Sequence, residues 1–138
     1  MRYLLDTGIC AAYLNGQSPT VRDRLLSIST EEVVICSIVK AELYYGAMLS
    51  SNPTRTLEHQ QNFLDRFVSM PFDDEAALAC GQMRAYLANE GFSMGSHDLQ
   101  IAAIALVKHL ILITQDVQKF EQVWGLQLED WSLEKVKL

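Results

Sequence analysis

An α/β domain with a mostly parallel sheet is predicted by three observations. Three short apolar runs are nearly continuous and do not alternate with polar residues. The intervals between them carry helical spacing. The chain has 138 residues, the length of one domain and too short for two ordinary ones. An unbroken apolar run is how a strand covered on both faces reads, and such strands belong to parallel sheets flanked by helices.

The first run is Arg2-Tyr3-Leu4-Leu5, closed by Asp6-Thr7-Gly8. A helix is expected from Pro19, with Ser18 as its cap and Val21, Leu25, Leu26 and Ile28 at helical intervals. The second run is Glu32-Val33-Val34-Ile35-Cys36. Ser37 is read as the cap of a helix carrying Ile38, Val39, Glu42, Leu43 and Tyr45. Ser50-Ser51-Asn52-Pro53 is read as a mobile loop before a helix over residues 54–67. A weaker strand follows at 68–72. Asp73-Asp74-Glu75 open a helix ending near Gly91, with acids where the helix dipole favours them. A helix over 98–108, capped by Ser96, is apolar almost all round and belongs at the centre of the fold. The third run is Leu110-Ile111-Leu112-Ile113-Thr114, followed by Gln115-Asp116. A second weak strand is expected at 126–128, and residues 135–138 are expected to fray.

Composition narrows the function. Hydrophobic residues at 49% and charged residues at 20% exclude wholesale disorder. No apolar run reaches the ~18 residues of a membrane span, and Asp6 arrives too early for a signal peptide. A cytoplasmic protein is expected. Cys10, Cys36 and Cys80 are an odd number without a C-x-x-C pair, which predicts reduced thiols rather than zinc or disulfides. With 17 acids against 11 Lys and Arg, the net charge of −6 argues against a general basic face for nucleic acid. It permits an enzyme whose acids gather around cations.

In open α/β sheets, ligands bind beyond the carboxyl ends of the strands. Asp6 closes the first strand, and Asp116 comes two residues after the third. Glu42 lies on the N-terminal half of the helix after the second, and Asp98 opens the helix feeding the third. Each has an ordinary reading. Asp6 and Asp116 can cap the turns that follow them, and Asp98 can balance a helix dipole. Glu42 stands among Val39, Ala41, Leu43 and Tyr44, where a carboxylate needs a partner. One shared cause accounts for all four: a site for hard cations. Oxygen-only ligands select Mg²⁺ or Mn²⁺ over zinc, and such clusters suit phosphodiester hydrolysis by metal-activated water. Without metal, carboxylates ~5 Å apart repel by about 3 kcal/mol at an effective dielectric of ~20. At least one pKa should therefore be raised, and Asp98→Asn is expected to melt higher than the parent in EDTA.

Four stretches resemble the PIN-domain family, and within it the VapC-type ribonuclease toxins of bacterial toxin–antitoxin pairs. They are Leu4-Leu5-Asp6-Thr7, Ile35 to Gly46 around Glu42, Gly95-Ser96-His97-Asp98-Leu99-Gln100-Ile101-Ala102-Ala103, and Leu112 to Phe120 followed by Val123-Trp124-Gly125-Leu126 and Asp130-Trp131. Their order and spacing extend the resemblance over the whole chain, 1–138. It implies a Mg²⁺- or Mn²⁺-dependent endoribonuclease, a cognate VapB-type antitoxin, an RNA substrate, a homodimer and no membrane association. Asp6, Glu42 and Asp98 map to the main acidic positions, catalytic and metal-ligating. Asp116 maps to a fourth position where the family often has Asn. Thr7 and Thr114 map beside the site. Gly8 stands where the family has a larger residue, and Gln100 interrupts an apolar segment.

Other residues have default readings. His97 is read as a neighbour of a helix cap rather than a general base. Trp124 and Trp131 are read as core, and Lys40, Arg84, Tyr44 and Tyr45 as solvated or packing residues. Two rival functions remain: a catalytically silent PIN-like interaction module, and a phospho-acceptor receiver-like domain. The receiver needs paired acids after the first strand, where Asp6 stands alone.

Overall fold

The three apolar runs form the central strands of a five-stranded parallel sheet in the computed structural model, which describes residues 1–134. The strands are β1 (Tyr3–Leu5), β2 (Val33–Cys36), β3 (Val68–Met70), β4 (Ile111–Ile113) and β5 (Leu128–Glu129), in the order β3-β2-β1-β4-β5. Leu4 pairs with Val34 on one side and Leu112 on the other. All three are fully buried, as continuous apolar runs require. The helices are α1 (Thr7–Leu14), α2 (Pro19–Ser27), α3 (Ser37–Leu49), α4 (Pro53–Leu64), α5 (Asp74–Asn89), α6 (Ser96–Val107) and the single turn α7 (Val117–Phe120). The core of α6 is enclosed throughout: Ile101, Ala102, Ala103, Ile104 and Ala105 are all buried.

Sheet order selects among the α/β functions. A receiver-like sheet runs 2-1-3-4-5, whereas here β1 sits between β2 and β4. The crossovers leave β1 in one direction and β4 in the other. The crevice at this switch point opens between the carboxyl ends of β1 and β4, which carry Asp6 and Thr114.

Several local expectations change. α1 has no clear apolar period, yet it forms because the Ile9 N–H donates to Asp6 Oδ1 at 2.8 Å. Ser18 caps α2 as expected, and Asp73, read only as an acid at the helix start, is the cap of α5. Ser37 and Ser96 do not cap. They are the first helical residues, and Cys36 and Gly95 hold the cap positions without a side-chain bond. The Ser50 to Pro53 segment is a bonded corner. Asn52 Oδ1 accepts from the Arg55 N–H at 3.2 Å, Pro53 opens α4, and Ser50 Oγ donates to the Ala47 carbonyl at 2.6 Å. Trp131 is core, edge-on to Tyr3 at 5.0 Å, but Trp124 is 86% exposed. Val123 takes the inward place in that turn, which reverses at Gly125 with φ +83°. The fraying expected of 135–138 lies outside the described residues.

Cys10, Cys36 and Cys80 are free. Burial pushes the Cys36 thiol up to about 11 and Cys10 well above its ordinary value. Both are packing residues rather than nucleophiles. Among the described residues, no helix is long and apolar enough to cross a membrane.

Gly46 stands exposed inside α3, and a Cβ there meets nothing within 4 Å. Gly46→Ala is therefore expected to stabilise the protein by about 0.5–1 kcal/mol. The urea midpoint reads this directly, and a lower midpoint refutes it.

Candidate active site

The site is assembled from four elements at the carboxyl edge of the sheet. Asp6 leaves β1 with its N–H donating to the Ile113 carbonyl at 3.0 Å, which fixes it against β4. Its side chain caps α1 while bordering the crevice. On α3 the buried positions are Val39, Leu43 and Ala47, so Glu42 turns out of the core. The Thr7 hydroxyl donates to Glu42 Oε1 at 2.7 Å, and His97 Nδ1 lies 3.4 Å from Oε2. Asp98 is the third residue of α6. Asp116 caps α7, and its own N–H donates to the buried Thr114 hydroxyl at 3.0 Å.

All four carboxylates line one cavity of about 230 Å³, with Thr7, Gly8 and Lys119. The sequence-predicted residues are thus brought together. A larger cavity, about 420 Å³, lies elsewhere between Met83, Tyr86, Leu106 and Trp124 and contains no carboxylate, amine or imidazole. Size alone does not locate the chemistry. A Cβ at Gly8 would sit 3.7 Å from Asp6 Oδ1 and Gln115 Oε1, an ordinary contact. Glycine is therefore no steric requirement there.

Lys119 is the participant that sequence reasoning missed. Its Nζ lies 3.0 Å from Asp98 Oδ2 and 3.4 Å from Asp116 Oδ2. The i,i+3 spacing of Asp116 and Lys119 was a visible signal for half of this arrangement. Burial by itself would lower the Lys119 ammonium. The hydrogen bond to Asp98 and the charges of Asp98 and Asp116 reverse that and hold it above its ordinary value.

The expected rise of at least one carboxyl pKa falls on Asp6. Burial, first, raises the Asp6 carboxyl above its ordinary value, and the Asp98 charge adds to the rise. The Thr114 hydroxyl, the Ile9 N–H and the Lys119 charge oppose it without cancelling it. Asp98, paired with Lys119, is the wrong position for the expected stabilising substitution. His97 Nδ1 also faces Glu42 Oε2, a pairing that forms when the imidazole is protonated.

As the side chains stand, no three His, Cys, Asp or Glu groups among the described residues close on one point at metal-ligating spacing. Lys119 separates Asp98 from Asp116, while Thr7 and His97 hold Glu42. The donor chemistry nevertheless fits a hard divalent cation. The carboxylates and hydroxyls supply oxygen only, and an ammonium already bridges two of the acids.

Comparison with known proteins shows the family to which this fold belongs. The profile of the PIN domain family matches residues 3–125. The tRNA(fMet)-specific endonuclease VapC of Shigella flexneri is 36% identical over 132 residues, covering 96% of this chain and 99% of the relative. Ribonuclease VapC2 of Haemophilus influenzae (strain ATCC 51907 / DSM 11121 / KW20 / Rd) is 31% identical over 95% of this chain and 98% of its own. The chain belongs to the PIN-domain family, among the VapC ribonucleases. Its fold matches that of the DNA-bound VapBC of Salmonella typhimurium with a TM-score of 0.90 at 33% identity, over 95% of this chain and 98% of that one. The VapBC2 of Rickettsia felis, bound to a promoter DNA fragment, gives 0.88 at 29% identity, over 95% and 99%. In this PIN domain the acids therefore stand at the mouth of the crevice, where the sheet topology places a ligand.

Proposed function

We propose that this chain is a Mg²⁺- or Mn²⁺-dependent endoribonuclease, the toxin of a VapBC-type pair, acting in the cytoplasm as one nuclease domain. The observation that carries the reading is the convergence of Asp6, Glu42, Asp98 and Asp116 on one cavity at the switch point of a PIN-domain sheet. When bound, a divalent ion acidifies water into a nucleophile and neutralises phosphate oxygens. Asp6, Glu42 and Asp98 would hold it, with Asp116 in a lesser role. Thr7 and His97 orient Glu42, and Thr114 steadies both Asp6 and the backbone of Asp116.

Purified protein freed of its antitoxin should cut single-stranded RNA with Mg²⁺ or Mn²⁺ and stop in EDTA. The relatives named for tRNA(fMet) make tRNA the first substrate to try. Undiminished cutting in EDTA would exclude metal dependence. Absence of cutting under all conditions would favour the silent interaction module.

The VapBC neighbours support a cognate antitoxin. Expression alone should arrest growth, and co-expression of the adjacent small open reading frame should relieve it. An antitoxin Arg or Lys inserted among the carboxylates would pair strongly there. Exposed apolar groups are available for the antitoxin and for a second copy: Tyr45, Met48 and Leu49 on α3, and Tyr86 and Trp124 at the larger cavity.

Lys119 neutralises Asp98 and Asp116 until a metal ion takes that place. Lys119→Gln should then bind Mn²⁺ about fivefold more tightly, since a half-exposed pair is a competitor worth about 1 kcal/mol. Calorimetric titration checks this, and equal or weaker binding by the variant excludes it.

A further inference from the structure

The acidic cavity does not end at the acids. It shares Asp116 and Lys119 with a second cavity of about 380 Å³, also lined by Phe92, Ser93 and Met94. The second shares Phe92, Ser93 and Met94 with a third of about 400 Å³, which reaches Arg84 and Ser96. Through these shared walls the three cavities adjoin as one run leading away from the acids, called the groove below. Its second and third lobes fall within the ~300–1,000 Å³ range of small-ligand sites. Phe92 is 48% exposed although it is a large aromatic. The left-handed Gly91, at φ +80°, ends α5, and the Phe92 N–H bonds back to the Leu87 carbonyl at 2.8 Å. That turn presents the ring to the groove on a fixed backbone. Arg84 reaches the far lobe from the preceding helix.

We propose that this groove is the binding site for the unpaired nucleotides flanking the scissile phosphate, with Phe92 as stacking platform and Arg84 as phosphate anchor. The proposal rests on the ribonuclease reading above. In a chain of net charge −6, the few cations that line a path to the acids must steer the substrate. Single strands are held by this combination of aromatic face and basic side chain, and unpaired bases can splay onto a ring where paired ones cannot. The two roles differ in their signatures. Stacking is sequence-tolerant and worth roughly five- to 150-fold in affinity per base. A phosphate contact shows in the salt dependence.

The test measures binding of a labelled ten-nucleotide single-stranded RNA of mixed sequence by fluorescence anisotropy. The Asp98→Asn background with Mg²⁺ prevents cleavage during the measurement. Phe92→Ala and Phe92→Leu should each weaken binding about tenfold, while Phe92→Tyr keeps it within twofold. Leucine preserves apolar packing, so its loss reports the ring itself. Arg84→Gln should weaken binding several-fold and flatten the slope of log affinity against log salt by about 0.7. Arg22→Gln, outside the groove, should do neither. Affinities within twofold of the background for both Phe92→Leu and Arg84→Gln would overturn the groove and leave the nuclease reading standing. No RNA binding by the background together with no cleavage by the parent would overturn both.

Discussion

Asp6→Asn, Glu42→Gln and Asp98→Asn are each expected to lower RNA cleavage at least about a thousandfold, with the fold retained. A metal-assisted displacement draws several kcal/mol of transition-state stabilisation from the ion, and ~4 kcal/mol is about three decades in rate. Each substitution removes one anionic oxygen from the same cavity, and at Asp98 also the ion pair with Lys119. Asparagine caps a helix as well as aspartate does, so α1 survives at position 6. Glutamine at 42 still offers Thr7 an acceptor. Asp116→Asn should cost less than about tenfold. Asp116 has a more exposed side chain than Asp98 or Glu42, 56% against 31% and 29%. Its capping of α7 is also one that asparagine can perform. Initial rates at saturating Mg²⁺, with circular dichroism on each variant, check the ranking. More than a tenth of the activity left in any of the first three, or an equal loss at Asp116, contradicts it.

Why these acids were visible in the sequence follows from the sheet. Leu4-Leu5, Val33 to Cys36 and Leu110 to Ile113 had to be unbroken because helices cover both faces, and that fixed the strand ends. Once the ends are known, Asp6 and Asp116 lie on the ligand-binding edge by topology. The helix of Asp98 was legible from its all-round apolarity. What escaped was local or tertiary. α1 was hidden because its cap is Asp6 itself, a residue already explained by another role. Ser37 and Ser96 looked like caps because hydroxyls usually are. Whether the residue before them turns extended, as Cys36 does at φ −133° and ψ 162°, is decided by the strand feeding the helix. Trp124 read as core because tryptophan usually is, and only the path of the chain around Gly125 turns it outward. Lys119 was half visible. Its spacing from Asp116 is local, but its shorter contact joins Asp98 across 21 residues and exists only in the folded chain.

Metal should reverse the stability ranking of the parent and Asp6→Asn. In EDTA at pH 7 the variant is expected to unfold later than the parent. Burial raises the Asp6 carboxyl despite the opposing Ile9 and Thr114 hydrogen bonds and the Lys119 charge, so the folded state disfavours the anion on balance. A raised carboxyl contributes stability that is fully present below the unfolded value near 3.9. That contribution is lost as pH rises through the folded value. The gap between variant and parent should therefore be widest at neutral pH and close as pH falls toward 4. The cap is common to both proteins, which leaves charge as the difference. Mg²⁺ at ~100 times its dissociation constant should then stabilise the parent by about 2.7 kcal/mol, on the order of 10 °C in Tm for a domain of this size. The variant, lacking one ligand, should gain clearly less. Asp98→Asn should not share the EDTA gain, because it forfeits the 3.0 Å pair with Lys119. Urea unfolding of the three proteins at pH 4.5 and 7, with EDTA and with Mg²⁺, decides the matter. If Asp6→Asn is less stable than the parent in EDTA at both pH values, or gains as much from Mg²⁺, Asp6 is a capping residue and its carboxylate is no part of a cation site.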